Sequence, residues 1–363
     1  MTATGTARAA PEEAGVSSSG RRRRRPRLPA GTLARHLMLA LAGLIATVLV
    51  LELTGPYQNS QFATLAYYAI AAAGLTVLTG LNGQISLGHG ALMAVGGYTT
   101  GLLLAVGAPF PLAMLASAAS AGVVGLVVGA AAARLHGPYL AGATLALAVA
   151  LPGLAIYFDG VLGGEQGMRI DAPRAPEWFS DAIYFLSAND TSSAKWLAYV
   201  GALTLIVVLV LLANLAAGRF GRVWRAARDH EAAAELAGIR LGPVRVLAFV
   251  ISAVCAGLAG AVLAMVVRLA APSGFTIVLS LSLLTAVVVG GLGSLTGAVL
   301  GSALLVFLPP LVTNLGTGAG LSDVQAAQLA PFAYGAVLIT VMLLAPRGAM
   351  GYVRRFTGRR KTR

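Results

Sequence analysis

The sequence predicts an all-α integral membrane protein with about ten transmembrane helices, glycine-rich broken segments among them, and both termini in the cytoplasm. Three observations predict it. Hydrophobic residues make up 57% of the 363 and charged residues only 11%, against roughly a quarter charged in soluble domains, so a water-facing surface cannot be built. The charges are also absent in long runs: 81 uncharged residues separate Glu52 from Arg134, and 54 separate Arg268 from Asp323. One helical span takes about 20 apolar residues, so the first run holds about three spans and the second about two. The third observation is where the positive charge falls, and it fixes the orientation.

Uncharged windows place spans at 37–53, 62–80, 86–106, 111–133, 139–158, 196–215, 246–267, 280–292, 296–313 and 329–345. With the amino terminus inside, 22 of the 26 basic residues fall on the cytoplasmic side, leaving Arg169, Arg174, Lys195 and Arg268 outside. This is the asymmetry of the positive-inside rule. The net charge of +13 therefore reads as topology and not as a nucleic-acid surface. Residues 1–30, rich in Ala, Gly, Ser, Pro and Arg, read as a disordered basic cytoplasmic tail, and 351–363 as a second basic tail. Between them, 31–350 form one transmembrane domain.

Within that domain the segment 159–195 is the sizeable external loop. It carries six acidic and three basic residues, with Trp196 placed for the membrane interface. The segment 218–245 is the cytoplasmic loop. From Arg222 to Ala237 it predicts one helix, centred on Ala232, Ala233 and Ala234, closed by Gly238. On that helix Arg225 and Asp229 are neighbours at i,i+4, as are Glu231 and Glu235. Its bases Arg222, Arg225 and Arg228 come early and its acids Asp229, Glu231 and Glu235 late, against the helix dipole. Such a helix reads as one held by docking on another protein.

Two glycine-rich breaks interrupt the apolar runs, at Thr79 to Tyr98 and Val287 to Leu305. Dense glycine costs about 1 kcal/mol per residue in a helix interior and marks bends, broken helices or close packing. Irregular backbone at membrane depth is tolerated when buried in protein or lining a wet cavity. Asn82, Gln84, Ser86 and His89 in the first break, with Gly290, Gly291, Gly293 and Ser294 in the second, are the candidates for a translocation path. Each taken singly also fits a locally bonded packing residue.

The chemistry of catalysis is absent. His36, His89, His136 and His230 are scattered, none with a metal-ligand neighbour at i+3 or i+4, so no metal is expected. Neither lysine, Lys195 nor Lys361, ends a phosphate-binding loop of the form GxxxxGK[ST]. Proton or sodium coupling normally needs titratable groups in the membrane, and the two long runs offer only His89. A passive channel and an ion-coupled carrier remain alternatives to a transporter driven by a partner.

Four blocks, in order, carry a resemblance: GLNGQISLGHGALMAVGGYT; the RDxExAAExxGI loop running into RVLAFVISAVCAGLAGA; VVVGGLGSLTGAVLGSALL; and YGAVLITVMLLAPRG. From Thr79 onward the chain resembles the LivM-type permease subunits of branched-chain amino-acid ABC importers. The resemblance implies a ten-helix permease paired with a LivH-type sister permease. It also implies two cytoplasmic ABC ATPases that bind the ATP, so that this chain needs no cofactor, and an extracellular substrate-binding protein. By the same resemblance, Arg225, Arg228, Asp229, Glu231, Glu235 and Gly238 fall in the loop that contacts the ATPases. Relatives that carry urea or short amides are an alternative for the substrate. Two departures stand out: the interval from Glu231 to Gly238 is one residue longer than in the broader importer loop, and Ala298 stands where relatives often have proline.

Overall fold

A computed structural model describes residues 32–133, 138–187, 189–344 and 350. The two basic tails, Arg134 and the last residue of the tenth expected span lie outside the described residues.

The chain is built from helices. The first is α1 (Thr32–Leu53). Next, α2 (Pro56–Leu75) continues into a π-helical turn at Thr76–Leu81. An irregular stretch leads into α3 (His89–Ala105), followed by α4 (Phe110–Ala132) and α5 (Pro138–Tyr157). The expected external loop folds as a short α6 (Asp159–Leu162), a 3₁₀ turn, the two-residue β1 (Met168–Arg169) and α7 (Glu177–Ser187). After α8 (Ser193–Ala217) come α9 (Arg219–Asp229), α10 (Glu231–Leu236) and the central α11 (Leu241–Val267). The strand β2 (Leu269–Ala270) and a 3₁₀ turn at Pro272–Phe275 then lead to α12 (Ile277–Gly290), α13 (Leu295–Gly318) and α14 (Asp323–Leu344).

Among the described residues, eight helical segments are long and apolar enough to cross a membrane, against the ten expected. The expected span 86–106 is shorter than its apolar run: α3 has 17 residues, about 26 Å at 1.5 Å per residue, against about 30 Å of hydrocarbon. The preceding residues are spent on unwound backbone. The π turn at the end of α2 is the other half of that interruption; its residues Thr76, Val77, Leu78, Gly80 and Leu81 are buried.

The helix α11 is the hub, packed on α2, α3, α4 and α8. Its small residues let backbones meet. A Cβ on Gly260 would collide with the Met93 carbonyl of α3, and one on Gly257 with the Ser117 carbonyl of α4. Close approach of this kind holds helices together where lipid removes any hydrophobic drive to associate. Cys255, read in sequence as a small hydrophobe, is buried beside Gly74 of α2. Ser117 adds a hydroxyl shared with Thr100 at 2.7 Å and donated to the Gly96 carbonyl at 2.8 Å.

The bundle has two ends. At one, β1 pairs antiparallel with β2, Met168 opposite Ala270 and Arg169 opposite Leu269. Here Trp196 is 6% exposed, between Phe110 (centroids 5.8 Å apart) and Phe179 (4.8 Å). Lys195 and Glu52 form a buried ion pair at 2.8 Å, and the Tyr199 hydroxyl donates to the same carboxylate at 2.7 Å. This clamp holds the end of α1 to the start of α8. At the other end lie α9 and α10, which are called the loop end below.

Candidate functional site

At the loop end, α8 turns sharply into α9 because Gly221 sits against the Ala216 backbone, where a Cβ would collide. Trp224, 1% exposed, fixes α9 to the start of α11 by donating from Nε1 to the Val244 carbonyl at 3.2 Å. Arg225 reaches back to the Ala216 carbonyl at 3.2 Å. It does not pair with Asp229, whose carboxylate takes two bonds from Arg228 at 2.9 and 2.7 Å.

The expected single helix is broken. His230 is extended (φ −155°, ψ 96°), so α9 stops at Asp229 and α10 begins at Glu231. The charge order gives the physical reason. In one helix the bases lie at the wrong end; with the break, Arg228 falls in the last turn of α9 and Glu231 in the first turn of α10. Both positions suit their dipoles. Gly238 follows α10 at φ +84°, a left-handed position natural for glycine. Ala227, Ala234 and Leu241 form a small core beneath the pair of helices, while Glu235 is exposed and Leu236 is 91% exposed.

From this module Arg228, besides the buried Trp224, enters the bundle. The Arg228 Nη1 donates to the Gly80 carbonyl at 2.6 Å. Gly80 in turn abuts the second break, for a Cβ there would collide with the backbone nitrogen of Gly293. A Cβ on Gly83 would lie 2.8 Å from Arg228 Cγ, and one on Gly293 would lie 3.7 Å from Arg228 Nη1. Three segments far apart in sequence therefore meet on one guanidinium. The turn geometry demands glycine here, with Gly83 at φ +79°, Gly291 at φ +117° and Gly293 at φ +79°. A second link runs beside the first. Gln84 donates from Nε2 to the Arg245 carbonyl at 3.3 Å, and the Arg245 guanidinium bonds Glu231 at 2.5 Å.

Above the junction the first break climbs back into the bundle as irregular backbone. Asn82 and Gln84 are each 6% exposed, and Ser86 and His89 fully buried. The His89 Nε2 meets the Ala71 carbonyl at 3.0 Å. Among the described residues, both amide atoms of Asn82, the Gln84 Oε1, the Ser86 Oγ and the His89 Nδ1 have no hydrogen-bond partner. Buried polar groups are nearly always paired, so such a run of exceptions is unusual. The start of α3 is steadied by Ser280 of α12, which accepts from the Gly90 N–H at 2.9 Å, and by Thr144 of α5, which accepts from the Leu87 N–H at 3.0 Å.

The second break is tighter. Gly290 and Gly297 pack backbone on backbone, and Ser294 caps α13 by accepting from the Gly297 N–H at 3.2 Å. The sequence reading missed Gly80 and Arg245 as members of the junction. Gly80 carries no signal beyond the glycine density around it, and Arg245 had only its basic charge.

The family described as branched-chain amino acid transport system / permease component matches residues 59–345. The chain belongs to this family. It is similar to the high-affinity branched-chain amino acid transport system permease protein LivM of Escherichia coli (strain K12), 29% identical over 85% of this chain and 75% of the relative. It is also similar to the LivH permease protein of the same strain, 28% identical over 78% of this chain and 91% of that protein. The galactofuranose transporter permease protein YtfT of that strain is 30% identical over 70% of this chain and 69% of its own length. As a member of this permease family with eight apolar helices of spanning length, the chain is a multi-pass membrane protein of all-α class.

Proposed function

We propose that this chain is the permease subunit of an ATP-driven importer of branched-chain amino acids in the bacterial cytoplasmic membrane. A LivH-type sister permease completes the translocation path, two cytoplasmic ABC ATPases bind the ATP, and an extracellular binding protein delivers substrate. The loop end faces the cytoplasm, and α9 with α10 form the dock for an ATPase.

The observation that carries this reading is the Arg228 junction. A ligand or partner shifts an equilibrium only by contacting its two states differently. A partner gripping the exposed Glu235 and Leu236 of α10 would move a module whose Arg228 bonds Gly80 of the first break, and Gly80 abuts Gly293 of the second. The charge order of the loop, the positive-inside count and the relatives' names support the same arrangement. The unpaired polar atoms of Asn82, Gln84, Ser86 and His89 support a wet path along the first break. A charge-assisted hydrogen bond such as Arg228 to Gly80 is worth about 1.5–3 kcal/mol, enough to couple two elements and small enough to be remade in each cycle.

The test is purification in mild detergent followed by reconstitution. The sister permease and P-loop ATPases are expected to copurify, and vesicles are expected to take up leucine with ATP. Leucine, urea and galactofuranose offered in parallel identify the substrate. Replacing Glu231 and Glu235 together with arginine is expected to abolish ATP-driven uptake while membrane insertion stays intact. Undiminished uptake by that double variant would refute the dock.

A further inference from the structure

A cavity of about 600 Å³ lies between α2, α12, α13 and α14, in the half of the bundle away from the loop end. Its size falls within the roughly 300–1,000 Å³ of small-molecule sites. Its walls include Tyr57, Ser282, Thr313, Asn314 and Tyr334, and among the described residues no lining residue carries a charge. The helices that build it hold three internal prolines, Pro309 and Pro310 in α13 and Pro331 in α14. A proline has no N–H and deprives the carbonyl four residues earlier of its donor. For Pro309 that carbonyl belongs to Leu305 and for Pro331 to Ala327, and both residues line the cavity. Two different helices thus bring to one space residues whose carbonyls lack the usual helical donor. The Tyr334 hydroxyl is buried with no partner among the described residues. The two helices are held close where Gly316 meets Ala326, a Cβ on the glycine lying 3.0 Å from the alanine Cβ.

We propose that this cavity is an entry site for the α-ammonium group and aliphatic body of the transported amino acid. Carbonyl oxygens only accept hydrogen bonds, so the group they select is a donor. Clustered carbonyl dipoles favour a cation. The side chain of an aliphatic amino acid suits the remaining Leu305, proline and alanine walls. The assignment rests on the importer reading, which puts this half of the bundle on the side where substrate arrives.

The test measures binding of radiolabelled L-leucine to the full-length chain in lipid nanodiscs. Two competitors decide the chemistry: leucinamide, which keeps the amine and loses the carboxylate, and 4-methylpentanoate, which lacks the amine. Leucinamide is expected to compete, and 4-methylpentanoate to compete at least ten-fold more weakly. The double variant Pro309→Ala, Pro331→Ala restores both backbone donors and is expected to weaken leucine binding about ten-fold. Tyr334→Phe should weaken it less. Equal competition by 4-methylpentanoate, unchanged binding in the double variant, or binding governed by sodium instead of the amine would overturn the proposal. Failure of the importer reading looks different: the assembled complex would not import leucine even though the cavity still discriminated by the amine.

Discussion

The two ends of the bundle hold their charges differently. Away from the loop end, the Lys195 and Glu52 side chains are 6% and 10% exposed and share Tyr199. At the loop end, Arg228 and Asp229 are 35% and 60% exposed, while Glu231 is 54% exposed opposite an Arg245 that is 10% exposed. One end is a clamp between α1 and α8, with Phe179 packed on Tyr199 beside it. The other has one exposed pair and one half-exposed pair over glycine turns and unpaired amides. A transporter needs one end that keeps its helices in register and one that can be rearranged from outside. The difference in burial assigns those roles, because breaking a buried pair leaves an uncompensated charge while an exposed pair is replaced by water.

Substitutions at each end sharpen the contrast. Lys195→Met leaves Glu52 buried without its cation and is expected to cost about 3–5 kcal/mol, seen as loss of folded protein in detergent melting. In the hub, Gly260→Val pushes a side chain into the α3 backbone and is expected to cost about 1–3 kcal/mol or more, again read as lower melting temperature and yield. At the loop end, Gly293→Ala imposes a side chain at φ +79°, a strain of roughly 1–2 kcal/mol. It is expected to slow uptake with little loss of assembled complex. The smallest effect belongs to Asp229→Asn, which weakens the exposed Arg228–Asp229 pair, worth about 0–1 kcal/mol, and should leave melting unchanged. A loop-end variant that melts as badly as Lys195→Met would erase the distinction.

Much of this arrangement was legible in the sequence, and for physical reasons. Long uncharged runs read as spans, and the dense glycine with polar residues at 79–98 marked an interruption, so the break before α3 was predictable, although 89–98 is regular helix despite Gly90, Gly96 and Gly97. Its extent was not. Apolar composition is the same in helix and in buried irregular chain, which is why 86–106 read as a full span where α3 has 17 residues. The charge order of 222–237 was a true signal with two solutions. Docking on a partner was the one drawn from the sequence, and the chain itself adopts another by breaking at His230. Gly80, Gly83 and Gly293 meeting around the Arg228 side chain is a long-range contact with no local signature. Nor does glycine content distinguish these turn positions from the packing glycines 257 and 260 of α11; the sign of φ does. The prolines of α13 and α14 stood plainly in the sequence, but which carbonyls they expose together depends on helix pairing.

The central claim is that Arg228 transmits what happens at α9 and α10 to both breaks. The most direct measurement is leucine uptake per ATP hydrolysed by reconstituted complexes carrying Arg228→Ala. The side chain leaves a partly exposed site, so assembly and ATPase binding should persist, while uptake per ATP is expected to fall at least ten-fold. Normal uptake per ATP in a fully assembled Arg228→Ala complex would contradict the account.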